Sequence, residues 1–346
     1  KRFRKKILNK NNQTPKAKAR EFLPWAIQFC NLENFKINFM IISKTPYRIS
    51  FFGGGSDYPS WYKHNFGEVI SASINKYIYI AVKRYEPFFQ TKFRITYSRI
   101  ENTNSINKIQ HNVVRKALKR YKFNSGLEIN YFADLPSNSG IGSSSSFTVG
   151  LINSLNTLKK KKLTKENLSK ESIFFEQNIL KENVGSQDQI ACAYGGINNI
   201  KFIKINKFKV LPLLKKKNFF NRLSKNLFIV FSGISRNADQ ISKSYTSNLK
   251  NKKQYIDEIL SHVNIAKKII KNEDRDEFGR LLGETWNVKK KLGKIVTNQK
   301  IDFLYNKGLQ SGALGGKLLG AGSGGFILFY VKDGNKEKFF KAFSNK

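Results

Sequence analysis

A short glycine- and serine-rich segment restricts the fold of this chain more than any other feature. Residues 136–146 form this segment, with glycines at 140 and 142. The alternating residues 127–132 before it predict a strand, and the periodic apolar residues from 143 to about 158 predict a helix. Glycines allow unusual backbone angles, and a helix N-terminus offers unpaired N–H groups to an anion. The pattern therefore predicts a phosphate-binding loop.

A Walker A loop and a flexible linker are the two alternatives to this interpretation. It is not a Walker A loop, because no Gly-Lys-Ser/Thr follows the glycines. A flexible serine linker would have a similar composition. Linkers are rarely placed between an alternating strand and an apolar-periodic helix, so the context favours a binding loop.

The net charge of +39 raises the question of nucleic-acid binding. The lysines are spread along the chain in short runs, which is typical of a solvated surface. We therefore expect no nucleic-acid partner. The sequence has no run of eighteen apolar residues, so we expect no membrane partner either. Its two cysteines, Cys30 and Cys192, fit a reducing, cytoplasmic setting.

The organisation of the chain predicts a leader and two domains. The sole methionine is Met40, so residues 1–39 are expected to be a non-native or disordered leader. Residues 40–212 and 213–346 are the expected domains, with the lysine-rich stretch 213–225 as their connection. Strands and helices alternate without regular βαβ spacing, which favours an α+β fold.

Several element predictions follow from periodicity. We expect helices at 107–121, 164–180, 238–249 and 273–292, and a glycine-rich turn over residues 315–325 that leads into a strand at 326–331.

The loop resembles the nucleotide-binding motif of the GHMP kinases, Pro-x-x-x-Gly-Leu-Gly-Ser-Ser, with Ile141 in place of leucine. The resemblance implies ATP as a cofactor. It assigns ATP binding to Pro136, Ser139, Gly140, Ile141, Gly142, Ser143, Ser144 and Ser145.

Two further segments resemble the other motifs of this family, in the required order. Residues 45–58 read Thr-Pro-Tyr-Arg-Ile-Ser-Phe-Phe-Gly-Gly-Gly-Ser-Asp-Tyr, and residues 317–326 read Lys-Leu-Leu-Gly-Ala-Gly-Ser-Gly-Gly-Phe. The second segment alone could be a bulge before a strand. Together the three imply an N-terminal domain like ribosomal protein S5 domain 2 and a ferredoxin-like C-terminal domain.

The resemblance also implies catalytic residues. Asp188 matches the catalytic aspartate of galactokinase- and mevalonate-kinase-like members, and Arg48 occupies the position of a cation beside it. A general base and a cation suit phosphoryl transfer to a hydroxyl. From the residues alone, Asp188 could instead cap a helix, and Arg48 could be a surface arginine.

Glu176 and Ser144 are the candidate magnesium ligands. Glu176 falls inside the apolar arc of the predicted helix 164–180, and an inward carboxylate is costly unless it pairs or binds metal. Its spacing from Asp188 resembles the glutamate–aspartate spacing of the family. A buried ion pair with a lysine is the alternative.

The first motif departs from galactokinase, where Gly-Glu-His-Thr-Asp-Tyr stands in place of residues 53–58. It resembles instead the heptose 7-phosphate kinases of the family, which implies phosphorylation of an anomeric hydroxyl. Alternatives are a fucose- or galactose-type sugar kinase, or a silent binding module; the oligomeric state stays open. Asp57 could also form only a local Asx-turn. The candidate substrate-binding residues are Gly54, Gly55, Ser56, Asp57, Tyr58, Gly322, Ser323 and Arg236.

Overall fold

Two long antiparallel strands organise the first half of the chain. The computed structural model describes residues 40–86, 88–235, 241–243, 246 and 249–344, and the predicted leader 1–39, most of the predicted helix 238–249 and Arg236 lie outside them. Residues 40–346 form one compact unit. The strands are β1 (Ile41–Phe52), β2 (Gly67–Arg84), β3 (Phe93–Thr96), β4 (Ile100–Thr103), β5 (Leu127–Ala133), β6 (Ile197–Lys204), β7 (Lys207–Pro212), β8 (Leu227–Phe231), β9 (Ala313–Leu318) and β10 (Phe326–Val331).

The helices of the described residues pack on these strands. They are α1 (Pro59–Tyr62), α2 (Asn112–Arg120), α3 (Ser143–Leu158), α4 (Lys165–Phe174), α5 (Gln187–Tyr194), α6 (Lys217–Ser224), α7 (Lys253–Asn272), α8 (Arg275–Lys290), α9 (Gln299–Gln310) and α10 (Lys336–Phe343). None of them is long and apolar enough to span a membrane.

Strand β2 is the centre of a seven-stranded sheet with the order β4-β3-β5-β2-β6-β7, and β1 also pairs with β2. The second half of β2 pairs with β5, and its first half pairs with β6. Helices α3 and α5 pack against β1 and β2. This packing brings the glycine–serine loop, which precedes α3, next to the end of β1.

A second, three-stranded antiparallel sheet has the order β8-β10-β9. Helix α8 packs against β9 and α7, and α7 also contacts β1 and β2. The mixture of largely antiparallel sheets and separate helices confirms the α+β fold. The domain division after residue 212 stays a prediction.

Several element predictions need correction. Helix α2 begins at Asn112, five residues later than expected, after a separate 3₁₀ turn at Ile106–Lys108. The expected connection 213–225 contains helix α6, whose buried Phe219, Phe220 and Leu223 anchor it to the core. The expected turn 315–325 is shorter, because residues up to Leu318 belong to β9.

Two predicted helices also differ at their ends. The helix expected over 164–180 changes after residue 174 into a π-helical segment, Phe175–Ile179. The helix expected over 273–292 starts only at Arg275, because Glu273 has a φ of +61° and ends α7. The Asp274 carboxylate then caps α8 by accepting from the Glu277 N–H at 2.9 Å.

Candidate active site

The three predicted motifs meet at one cavity. Its walls are the loop after β1, the glycine–serine loop before α3, the segment 183–188, the end of α8 and the segment 317–324. Among the predicted site residues it is lined by Arg48, Gly54, Gly55, Asp57, Tyr58, Gly140, Gly142, Ser143, Ser144, Ser145, Asp188 and Gly322.

The glycine–serine loop turns into α3 at a left-handed residue. Gly142 is the N-cap of α3, with a φ of +78°, a conformation that residues with a side chain rarely adopt. Ser143 Oγ accepts from the Asn138 N–H at 3.2 Å and so fixes the loop. The exposed Ser144 lines the cavity beside the helix N-terminus. The geometry therefore offers N–H and hydroxyl donors to a polyphosphate.

The back of this loop rests on the other glycine-rich segment. The Ser139 carbonyl accepts from the Phe326 N–H at 3.0 Å. A Cβ at Gly320 would lie 2.5 Å from the Gly140 Cα, so the two backbones touch. Pro136, Ser139 and Ile141, three of the predicted ATP-binding residues, do not line the cavity. They hold the loop in place through hydrogen bonds on its far side.

Arg48 and Asp188 form a two-pronged ion pair. Arg48 Nε donates to Asp188 Oδ1 at 2.7 Å, and Nη2 donates to Oδ2 at 2.5 Å. The third nitrogen, Nη1, donates to the Gly140 carbonyl at 2.8 Å, which ties the pair to the phosphate loop. Asp188 lies in the first turn of α5, whose N-cap is Ser186, so Asp188 is not the cap. Its side chain keeps 23% exposure, toward the cavity that it lines.

Asp57 lies at the bottom of the loop after β1. Its Oδ1 accepts from the Gly55 N–H at 2.9 Å, and its carbonyl accepts from the Ser186 N–H at 2.8 Å. Burial raises the pKa of this carboxyl, and the nearby Asp188 raises it further. A buried carboxylate that lines the cavity is suited to accept hydrogen bonds from the hydroxyl groups of a ligand.

Two predicted substrate-binding serines use their hydroxyls elsewhere. Ser56 Oγ donates to the Gly53 carbonyl at 2.8 Å and accepts from the Glu68 N–H at 3.1 Å. Ser323 Oγ donates to the Ile295 carbonyl. Neither residue lines the cavity, because both hold loop backbones in place.

Glu176 is fully buried, as its place in the apolar arc predicted. Its Oε2 accepts from Ser145 Oγ at 2.9 Å and from Gln189 Nε2. Its Oε1 has no hydrogen-bond partner among the described residues. No lysine, arginine or histidine among them forms an ion pair with Glu176. Burial, followed by the charge of Glu182, raises the pKa of Glu176 to about 8. The carboxyl group does not itself line the cavity.

Two lysines of the cavity wall were missed by the sequence reasoning. Lys289 and Lys317 are both more than nine-tenths buried and line the cavity. Lys289 follows Trp286 by three residues and Leu282 by seven on α8, so the helical periodicity that singled out Glu176 would have found it too. Lys317 stands within an otherwise apolar stretch of the third motif.

Family comparisons agree with this architecture. Residues 107–196 match the family model of the GHMP kinases N terminal domain, and residues 265–346 match that of the GHMP kinases C terminal domain.

Three similar proteins illustrate the range of the relatives. A D-glycero-alpha-D-manno-heptose 7-phosphate kinase of Campylobacter jejuni is 27% identical over 313 residues, which cover 87% of this chain and 92% of that protein. A bifunctional fucokinase/GDP-fucose pyrophosphorylase of Arabidopsis thaliana is 28% identical over 320 residues, 85% of this chain and 30% of that protein. The crystal structure of a D-glycero-D-manno-heptose 1-phosphate kinase from Bacteroides thetaiotaomicron has a TM-score of 0.72 at 23% identity, covering 89% of this chain and 93% of that one.

Proposed function

Because the chain belongs to the GHMP kinases, ATP-dependent enzymes that phosphorylate hydroxyl groups, we propose that it phosphorylates the anomeric hydroxyl of D-glycero-D-manno-heptose 7-phosphate. The observation that carries this proposal is the place of Asp188. Its carboxylate lines the same cavity as the phosphate loop and the loop that contains Asp57. A base at this position lies between a donor site and an acceptor site.

The phosphate loop would hold ATP. The N–H groups at the start of α3 and the Ser144 hydroxyl would contact the β- and γ-phosphates. Asp188 would take the proton of the acceptor hydroxyl while that oxygen bonds to the γ-phosphorus and the bond to the β-phosphate oxygen breaks, releasing ADP. Each carboxylate oxygen accepts more than one hydrogen bond, so Asp188 can do this while paired with Arg48.

Arg48 would have two tasks. Its fork fixes the orientation of Asp188, and its guanidinium places a positive charge beside that carboxylate. Its remaining hydrogen bond to the Gly140 carbonyl keeps the base in register with the phosphate loop. The Arg48 side chain would therefore align the phosphate donor, ATP, with the sugar that accepts the phosphate.

Magnesium is the metal that the family implies, and the oxygen donors at the phosphate loop are of the kind it prefers. Glu176 lies directly behind the cavity-lining Ser145, which donates to its Oε2 at 2.9 Å, and its Oε1 has no hydrogen-bond partner among the described residues. Ser144, the preceding residue, lines the cavity. A bound cation would stabilise the ionised form of Glu176, which burial disfavours. We propose that Glu176 and Ser144 hold Mg²⁺, which would neutralise charge on the phosphates of ATP.

The acceptor assignment rests on the loop after β1. Gly54 and Gly55 line the cavity and, because they have no side chains, leave room for a sugar. The Asp57 carboxylate would accept hydrogen bonds from the sugar hydroxyls. The Campylobacter relative is named for heptose 7-phosphate. The Arabidopsis relative is named a fucokinase, so a fucose-type acceptor is the alternative.

The test is an ATP-consumption assay of the full chain with magnesium. The acceptors would be heptose 7-phosphate, sedoheptulose 7-phosphate, mannose, fucose and galactose. Turnover of heptose 7-phosphate alone is the expected result. Turnover of fucose or galactose alone would overturn the substrate and leave the kinase assignment standing.

The remaining parts of the proposal concern the setting of the enzyme. We place it in the cytoplasm, acting on a small molecule without a nucleic-acid partner. We also propose that residues 40–212 form the ATP-binding domain and residues 213–346 the second domain. Expression of each part alone, followed by measurement of its cooperative unfolding, would test that division.

A further inference from the structure

Lys289 and Lys317 place two buried amino groups in the cavity wall. Lys289 comes from α8, and its Nζ donates to the carbonyl of Gly320 and, at 3.4 Å, to that of Leu318. Lys317 comes from β9, and its Nζ donates to the Phe51 carbonyl at 2.7 Å. An ammonium has three N–H donors, so each lysine has donor capacity left.

The charges around this pair do not neutralise it. Neither lysine makes an ion pair with a carboxylate of the described residues. The charged groups that influence them are Arg48, Asp57 and, for Lys317, also Lys289. Arg48 is already paired with Asp188. When both amines are protonated, they therefore share one more distant carboxylate, that of Asp57.

Burial and mutual repulsion have a measurable consequence for both amines. Burial, followed by the charge of Arg48, lowers the pKa of Lys289 to about 8. Burial and the charge of Lys289 hold the pKa of Lys317 well below its ordinary value. An anion bound between them would favour both ammonium forms, because an opposite charge stabilises a buried cation.

The position of the two lysines favours contact with the sugar acceptor rather than with ATP. The donor phosphates have their own site at the N-terminus of α3. Lys317 is tied to Phe51, two residues before the glycines of the acceptor loop. Beyond the end of α8, the side chain of Leu292 lies within 3.8 Å of the place where a Cβ of Gly55 would be. Lys317 is therefore anchored beside the acceptor loop. Lys289 comes from the helix whose end borders that loop, although its own hydrogen bonds go to the segment 318–320.

We propose that Lys289 and Lys317 bind the phosphate group that the sugar already carries before the reaction. They would thereby select a phosphorylated sugar over a neutral one. This inference rests on the proposed function, because it requires an acceptor with a phosphate of its own. No bond to this phosphate forms or breaks during the reaction.

The experiment measures KM for the sugar phosphate and for ATP in Lys289→Gln and Lys317→Gln. Each change should raise the KM for the sugar phosphate by about 10- to 100-fold, as expected for a lost charge-assisted hydrogen bond, and leave the KM for ATP within about twofold. Lys289→Arg and Lys317→Arg should restore part of the loss. Lys291→Gln is the matched control, since Lys291 is exposed and just past the end of α8.

Each outcome decides between the proposals. A rise in the KM for ATP with an unchanged KM for the sugar phosphate would overturn the inference and leave the substrate proposal standing. If the wild-type enzyme turns over a neutral sugar and no sugar phosphate, both proposals fail together. Thermal unfolding of each variant identifies those that lose activity by losing their fold, and the arginine variants then decide whether the charge is what matters.

Discussion

Two carboxylates on neighbouring helical segments have opposite surroundings. Asp188, at the start of α5, pairs with the guanidinium of Arg48 and keeps an open face toward the cavity. Glu176, in the π-helical segment after α4, is fully buried, and its carboxylate accepts from the neutral side chains of Ser145 and Gln189. Arg48 gives Asp188 a counter-charge, whereas no cation of the described residues pairs with Glu176. Under the proposed roles, the base would have its counter-charge before any ligand binds, and the metal ligand would gain one only with its ion.

The largest expected effect comes from Asp188→Asn. The amide has nearly the same shape but cannot take a proton, and its NH₂ group would face the donors of Arg48. We expect turnover to fall by a factor on the order of a hundred or more, while ATP still binds. Steady-state kinetics and a calorimetric ATP titration measure the two properties separately.

The matched control for this variant is Asp257→Asn. Asp257 is exposed and pairs with Lys253 on α7, away from the cavity. It should leave turnover unchanged. Near wild-type turnover in Asp188→Asn would show that Asp188 is not the base.

The next effect concerns the cation of the pair. Arg48→Lys keeps the charge but cannot hold both oxygens of Asp188 and the Gly140 carbonyl at once. We expect kcat to fall by about 10- to 100-fold. Arg280→Lys changes an exposed arginine that pairs with Glu277, and it should have no such effect. Equal kcat values in the two variants would contradict the positioning role of Arg48.

Glu176→Gln tests the second carboxylate, which is buried without a paired cation. The folded protein binds a proton at Glu176 up to a pH of about 8, whereas the unfolded chain loses it near 4.5. Between these values the folded state holds more protons, so the free energy of unfolding of the wild type falls as pH rises. Between pH 4.5 and pH 8, the free energy of unfolding of the wild type should fall by the order of a few kcal/mol more than that of Glu176→Gln. Urea unfolding without magnesium, from pH 4.5 to 9, measures it.

A second measurement on the same variant tests the metal proposal. Magnesium with a non-hydrolysable ATP analogue should stabilise the wild type more than Glu176→Gln, because only the carboxylate gains a bound cation. A stability difference between the two proteins that is independent of pH would contradict the unpaired, buried state of Glu176. Equal stabilisation by magnesium would remove Glu176 from the metal site.

The smallest expected effect reports on Asp57. A Cβ at Gly185 would lie 1.9 Å from Asp57 Oδ2, so Gly185→Ala must displace that carboxylate. We expect the KM for the sugar acceptor to rise by roughly tenfold through misplacement of the side chain. Gly334→Ala is the control, because nothing lies within 4 Å of the added atom. An unchanged acceptor KM would show that Asp57 does not contact the sugar.

The sequence predicted those parts of the site whose signal is local. The glycine–serine loop stands out by its spacing, and the burial of Glu176 follows from helical periodicity. The pairing of Arg48 with Asp188 spans 140 positions and no local pattern encodes it, so only the family resemblance pointed to it. Spacing also cannot show where a hydroxyl donates, and for this reason Ser56 and Ser323 were assigned to the substrate although they hold loop backbones.

The general abundance of lysine hid the two lysines of the cavity. In a chain with 63 lysines and arginines, a lysine within an apolar face attracts little attention. The π-helical segment after α4 was missed for a different reason. It is closed by a hydrogen bond from the Leu180 N–H to the Phe175 carbonyl, five residues apart. Its Glu176 accepts from Ser145 of α3 and from Gln189 of α5, and no local residue pattern encodes these contacts.

The contact between Gly140 and Gly320 gives the enzyme an order of assembly. Residues 136–146 leave the ribosome long before Phe326, whose N–H supports the Ser139 carbonyl. Until then the nascent chain carries the sequence of the nucleotide loop without its backing. The ability to bind nucleotide should therefore arise only after residue 326 has emerged and has packed against the loop.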